Sequence, residues 1–377
     1  MQPESDAASA EHRIARFSGA ALPPLQRGGI MLAMSNQTVP DAAVALWQAL
    51  LGVRVRQSAK TATWPGEAGW REGLTAALIG SLSPAAPHET GQAREAQLYG
   101  RYQQALQLQA LRWIDEAGVS CVAIKGFASA FLYYPAPAAR LIGDLDLLVR
   151  SADLPTLVGA LGARGFRFGG VGGPAWGFLS DASFVPFHSP DGNCNIDLHV
   201  EPDSYPLHLG LGVEAVFERA RQIVADGQPV AVPCAEHLAL IAVSNLAKDK
   251  FAPHGLRKLL DLGRLLAHES TFDWPAVRTL AARAKLARAL ATTVALLRAL
   301  GTPEALLPSD MRLPRGSVFD DLLRDWLNPR EPSLTQRLQR EWFLAATPGV
   351  AATLGWRRLR GLFGGRSGLP DLAAPPR

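Results

Sequence analysis

The chain has 377 residues, 48% of them hydrophobic and 19% charged, which supplies one or two globular cores and excludes wholesale disorder. Its 38 Lys and Arg against 34 Asp and Glu leave a formal charge of +4, and that alone does not make a nucleic-acid binder. Cys121, Cys194 and Cys234 stand far apart with no CxxC pair, so neither a disulfide framework nor a zinc knuckle is suggested and a reducing cytoplasm is the expected setting.

The first thirty residues carry "ESD", "EHR" and "PLQR" in place of a basic start and an apolar core. No run reaches the roughly 18 apolar residues of a membrane span, so a soluble, unexported chain without a membrane partner is expected. Residues 1–90 read as an N-terminal extension followed by a helical cover over the sheet, with short helices in "DAAVALWQALLG" and "GWREGLTAALIGSL" and a loop at "SPAAPHETG". From 92 to 117, Tyr99, Tyr102, Leu106, Ala110, Trp113 and Ala117 recur at helical spacing, and Gly118 is a natural stop. "SCVAIKG" predicts a buried strand ending at Lys125-Gly126, followed by the helix "FASAFLYY", which Pro135 and Pro137 terminate. "GDLDLLV" predicts a second strand and "ADLPTLVGALGARG" a helix with Ser151 as N-cap and Gly165 beyond its end. "SFVPFHSPDGNCNIDLHV" predicts a hairpin turning at "SPDG".

The order strand, helix, strand, helix, hairpin predicts an α+β fold, a small mixed β-sheet core over 91–230 with helices packed on it. Four helical patterns from about 235 predict a C-terminal helical domain over 231–330. Basic helical pieces then lead to a basic C-terminal tail over 331–377, loose at its end.

The stretch "RLIGDLDLLVR" holds two aspartates in an apolar run. In a strand Asp144 and Asp146 project from one face, about 7 Å apart at Cα, and by the same period Asp197 and His199 share a face. Three carboxylates on rigid strands suit Mg²⁺, which takes oxygen ligands and is completed by substrate phosphates and water. Solvent-facing strand aspartates are the plainer alternative. Two features count against it: Asp is disfavoured in strands, and Lys125-Gly126 ends the preceding strand, where a glycine admits a phosphate and a lysine meets its charge.

"AIKGFASAFLYYPAPAARLIGDLDLLVRSADLPTLVGALGARGFRF", followed by "IDLHV", resembles the polymerase-beta-like nucleotidyltransferase superfamily. Within it the chain is most similar to the bacterial uncharacterised nucleotidyltransferases, with weaker echoes to about residue 300. The resemblance implies that Asp144 and Asp146 bind metal, Mg²⁺ or Mn²⁺. It makes Asp197 a third ligand that helps activate an acceptor hydroxyl, and Lys125 and Gly126 part of the phosphate motif. Here Gly126-Phe127 replaces the usual Gly-Ser or Gly-Gly, and a Tyr-Pro-containing insert lengthens the spacer. Arg140 either reaches a phosphate or ends a loop. His199 either bonds a carboxylate or acceptor, or is a satisfied strand-end histidine. His254, Arg257, Lys258 and Asp261 share a helical face and form either a basic edge toward nucleotide or acceptor, or a solvated face with Asp261 paired to Arg257 or Lys258.

The implied activity transfers a nucleoside monophosphate from a nucleoside triphosphate, ATP by expectation, to a hydroxyl or phosphate of a small-molecule or peptide acceptor, as in tailoring of lasso peptides. Long nucleic acid is not an expected partner, since a larger basic surface with stacking aromatics would then be needed. The alternatives are a protein-modifying, AMPylating enzyme and an inactive nucleotide- or partner-binding protein.

Overall fold

Runs of Leu, Ile and Val in "LDLLV" and "NIDLH" place a sheet at the centre of the chain, buried on both faces. The computed structural model describes residues 39–52, 89–169 and 182–362. The elements run α1 (Asp41–Leu50), α2 (Glu89–Glu116), β1 (Cys121–Ala123), α3 (Lys125–Tyr133), β2 (Leu145–Val149), α4 (Leu154–Gly162), β3 (Arg167–Phe168), β4 (Phe187–His188) and β5 (Asn195–His199). Then come α5 (Val213–Glu218), β6 (Arg221–Ala225), β7 (Gln228–Val232), α6 (Ala235–Lys248), α7 (Leu256–His268), α8 (Trp274–Arg283), α9 (Ala287–Ala299), α10 (Ser317–Leu327), α11 (Leu334–Leu344) and α12 (Pro348–Leu362).

The main sheet has the order β1-β2-β5-β4-β3. β2 and β5 are parallel and the other neighbours antiparallel, so the expected mixed sheet of an α+β fold is what forms. The hairpin between β4 and β5 turns at Ser189–Gly192, where Gly192 takes φ +70° and its N–H donates to the Ser189 carbonyl.

Several local expectations give way to tertiary context. The first strand stops at Ala123, and Lys125 opens α3 with a left-handed φ of +55°. Asp144 lies one residue before β2. The N-cap of α4 is Asp153, not Ser151, and its side chain makes no cap bond, while Gly165 follows the helix at φ +90° as expected. On α2, Tyr99 and Tyr102 are exposed at 54% and 46%, and the buried face runs instead through Gly100, Gln103, Gln104, Gln107 and Leu111. That face meets backbone. A Cβ at Gly100 would lie 3.1 Å from the Ala138 carbonyl oxygen, and Gln107 donates to the Ile142 carbonyl. The hairpin β6–β7 was not expected, although Asp226-Gly227, both left-handed at φ +49° and +78°, is a two-residue hairpin signal.

α1 covers the helical layer, not the sheet. The Trp47 indole N–H donates to the Thr302 hydroxyl at 2.9 Å, the Leu50 carbonyl accepts from Arg264, and Gly263 leaves room for Leu51 and Trp47. The second expected N-terminal helix lies outside the described residues. α11 and α12 lie where basic helical pieces were expected, and the end of the expected tail lies outside the described residues. α11 starts at a Ser333 capping box, and its Arg340 is buried against Asp325, both side chains 1% exposed. No described helix is long and apolar enough to cross a membrane.

Removing one partner of a buried ion pair leaves the other charge poorly compensated, and Asp325 would keep only the mostly exposed Arg330 at 3.0 Å, so Arg340→Ala should cost about 3 kcal/mol in denaturant unfolding. A loss below about 1 kcal/mol, the range of an exposed pair, would show that α11 is not docked through this contact.

Candidate metal and nucleotide site

The parallel register of β2 and β5 sets Asp146 opposite Asp197 and Leu148 opposite His199. Leu145, Leu147, Ile196 and Leu198 are fully buried and lock both strands in the core, so the polar side chains are held in place by apolar packing. Asp146 Oδ1 lies 2.9 Å from His199 Nε2 and 2.5 Å from the Lys125 ammonium, which is also 3.2 Å from His199 Nε2. Asp146 and His199 are 5% and 2% exposed. Asp144 is half-buried beside them, close enough to raise the proton affinity of Asp197.

Like charge packed at this density moves the titrations apart. Burial, then the neighbouring Asp146 and Asp144, push the Asp197 carboxyl up to about 7. Burial and Asp146 also raise Asp144, against the pull of Lys125 and Arg140. For Asp146 burial works the same way, yet Lys125 and His199 outweigh it and hold the carboxyl well below the usual carboxylate range. Burial and the Lys125 charge keep His199 neutral by lowering its pKa. Burial disfavours the Lys125 charge, but Asp146, Asp203 and Asp144 more than offset this and keep it an ammonium.

The donors fit a divalent cation. Asp146, Asp197 and His199 each offer an atom, all within 4.8 Å of one another. Buried Asp197 Oδ1 has no hydrogen-bond partner, and neither has His199 Nδ1. An imidazole in place of a third carboxylate moves the preference from an all-oxygen Mg²⁺ shell toward Mn²⁺ or another first-row ion.

Residues 73–301 match the family described as uncharacterised nucleotidyltransferase. The chain belongs to that family. Among solved structures, the chain is similar to an antigenic nucleotidyltransferase-like protein from Paracoccidioides brasiliensis, at 15% identity and a TM-score of 0.33, over 55% of this chain and 95% of that one. No curated protein matches.

The other expected residues divide. Arg140 is engaged in the interior: Nε and Nη2 grip the Asp261 carboxylate at 2.9 Å, Nη1 donates to the Leu141 carbonyl, and the Tyr134 hydroxyl adds a bond to Asp261 at 2.7 Å. Asp261 is therefore the partner of Arg140 and not of Arg257 or Lys258. Gly126 lies against this arginine, and a Cβ there would come within 3.2 Å of Arg140 Nη2. Arg257 is exposed and within electrostatic reach of Asp144 and Arg140. Lys258 binds Asp249 and Asn245, and exposed His254 lies 3.4 Å from both Asp249 and Glu331, so this pair is engaged away from the carboxylate cluster. Burial pushes the Cys121 and Cys194 thiols up to about 12, as structural cysteines require.

Sequence reasoning missed Asp203 and Lys248. Asp203 is 1% exposed, lies four residues beyond His199, and draws charge from Lys248 at 3.4 Å and from Lys125. The two come from a loop and a helix 45 residues apart, so no periodicity joins them. The only signal was "EPD" directly after the strand.

A carboxyl whose folded pKa lies near 7 destabilises the folded metal-free protein progressively as pH rises from about 4 through 7, because the unfolded chain ionises first. A bound cation removes that penalty. Mn²⁺ should therefore raise Tm more at about pH 8 than at about pH 5.5, and Asp197→Asn should flatten the difference. A shift independent of pH in the wild type would contradict the titration assigned to Asp197.

Proposed function

We propose that this chain is a metal-dependent nucleotidyltransferase that moves a nucleoside monophosphate from a nucleoside triphosphate, ATP by preference, to a hydroxyl or phosphate of a small-molecule or peptide acceptor. The observation that carries the reading is the cluster of Asp146, Asp197 and His199 on paired parallel strands, with orphaned Asp197 Oδ1 among them. Those three residues would hold the cation, with Asp144 beside them. When bound, it supplies positive charge to the triphosphate and to the departing pyrophosphate.

The remaining roles fall to the chain. The N-terminus of α3, opened by Lys125 and Gly126, presents backbone N–H groups that lack intrahelical partners, suited to phosphate oxygens. Exposed Arg257 and the part-exposed Lys248 add charge from the helical layer. Asp197, which would lie between the cation and the acceptor, would receive the proton of the acceptor hydroxyl. The acceptor oxygen then bonds to the α-phosphorus, and the bond from that phosphorus to the bridging oxygen breaks, releasing pyrophosphate. The modest charge of +4 favours a compact acceptor over a long nucleic acid, and tailoring of a peptide natural product is one chemistry of that size.

The test supplies the purified chain with each α-labelled nucleoside triphosphate, Mg²⁺ or Mn²⁺, and a fractionated lysate. Pyrophosphate and a labelled adduct are expected, with slow nucleoside monophosphate release to water when no acceptor is added. Asp146→Asn and Asp197→Asn should each reduce both by about 10²–10³-fold or more. Inorganic phosphate and nucleoside diphosphate as products, or no turnover of any triphosphate, would overturn the proposal.

A further inference from the structure

The ammonium of Lys125 sits where a bridging cation is needed. It lies 2.5 Å from Asp146 Oδ1 and 3.2 Å from His199 Nε2, two groups that are themselves 2.9 Å apart. In a neutral imidazole Nε2 either carries a proton for Asp146 or offers a lone pair to Lys125. In the second form a single ammonium satisfies both lone pairs. Asp146 and His199 are two of the three residues that would grip a divalent ion. A lysine ammonium and a divalent ion cannot share one carboxylate oxygen at these distances without strong repulsion.

The placement of Lys125 is costly in itself. It holds a left-handed φ of +55°, a conformation that a residue with a Cβ adopts only at a cost. Its side chain retains 18% exposure, so the ammonium can withdraw toward solvent along a flexible stem, whereas Asp146 and His199 are fixed in β2 and β5. Asp144, Asp197 and Asp203 surround it, and their combined charge holds it in place until other cations or anions compete.

Resting on the function proposed above, we propose that Lys125 is a tethered stand-in for the metal: it closes the Asp146–His199 site to free divalent ions and leaves it for the triphosphate when the nucleotide arrives. The site therefore takes its metal as a metal–nucleotide complex, and Lys125 is a specificity-determining residue for that form of substrate. The triphosphate offers the ammonium a second anionic partner, and the divalent ion takes over the two lone pairs it vacates. No bond is made or broken in the exchange.

The test is a Mn²⁺ titration read by loss of the free-ion EPR signal, on the full chain, with and without a non-hydrolysable α,β-methylene nucleoside triphosphate. In wild type the analogue should tighten Mn²⁺ binding by about tenfold or more, since the closed state reduces the apparent affinity of the bare ion. Lys125→Met keeps the stem without the charge. It should bind Mn²⁺ alone about tenfold more tightly than wild type, and the analogue should then add little. Lys125→Gln should follow Lys125→Met, and circular dichroism establishes that each variant is folded. If both variants fail to fold, the wild-type comparison still decides, because equal Mn²⁺ affinity with and without analogue overturns the proposal. Folded variants that bind Mn²⁺ no more tightly than wild type also overturn it while leaving the metal site intact. Absence of Mn²⁺ binding in wild type even with analogue would instead overturn the function on which the inference rests.

Discussion

Four acidic side chains, Asp146 and Asp197 on the paired strands and Asp144 and Asp203 beside them, repel one another and resist dehydration, and the architecture around them is organised by the need to hold that charge. The parallel register that puts Asp146 beside Asp197 creates the conflict and also makes it useful. Relief comes from two directions, Lys125 against Asp146 and Lys248 against Asp203, while Asp144 and Asp197 hold their protons more tightly than ordinary carboxyls. His199, its pKa lowered by burial, stands 2.9 Å from Asp146 without adding charge. Such a site is destabilising until a cation enters, as expected of a binding centre held rigid by its surroundings.

The helical layer contributes more than cover. Arg140 leaves the loop before Asp144, passes close to Gly126 and ends in a two-pronged grip on Asp261 of α7, to which Tyr134 also bonds. One carboxylate on the helical side thus anchors the chain entering β2 and the chain leaving α3. Arg264, one turn further along α7, donates to the carbonyl of Tyr133, and α1 closes over the same arginine through Leu50. The positions of Asp144 and of the α3 N-terminus depend on helices that begin more than a hundred residues later in the chain.

The metal strands were legible because strand chemistry is periodic. Period two in "GDLDLLV" and "NIDLH" placed the acidic and imidazole groups on one face, and the turn residues of "SPDG" fixed the hairpin that brings β5 into the sheet. Lys125 was found by type but set at a strand end, since "CVAI" reads as one β-branched run and nothing local announces a left-handed lysine. Arg140 was left between phosphate ligand and loop end, and the deciding partner, Asp261, lies 121 residues away. Asp203 with Lys248 was illegible for the same reason, and the tyrosine stripe of α2 was misjudged because glutamines, one of them bonding the Ile142 carbonyl, share the packed face with the helix's apolar residues. Local pattern carries ligand types and strand faces, while the pairings that decide what each charge does belong to the tertiary fold.

If the proposed function holds, Asp146, Asp197 and His199 together bind a divalent cation. Crystals grown with Mn²⁺ and a non-hydrolysable nucleoside triphosphate, measured at a wavelength where manganese scatters anomalously, test it. The expected result is an anomalous peak bounded by Asp146, Asp197 and His199, with Lys125 withdrawn from Asp146. A nucleotide bound with no manganese between those three side chains, or manganese held elsewhere while Lys125 stays on Asp146, would contradict it.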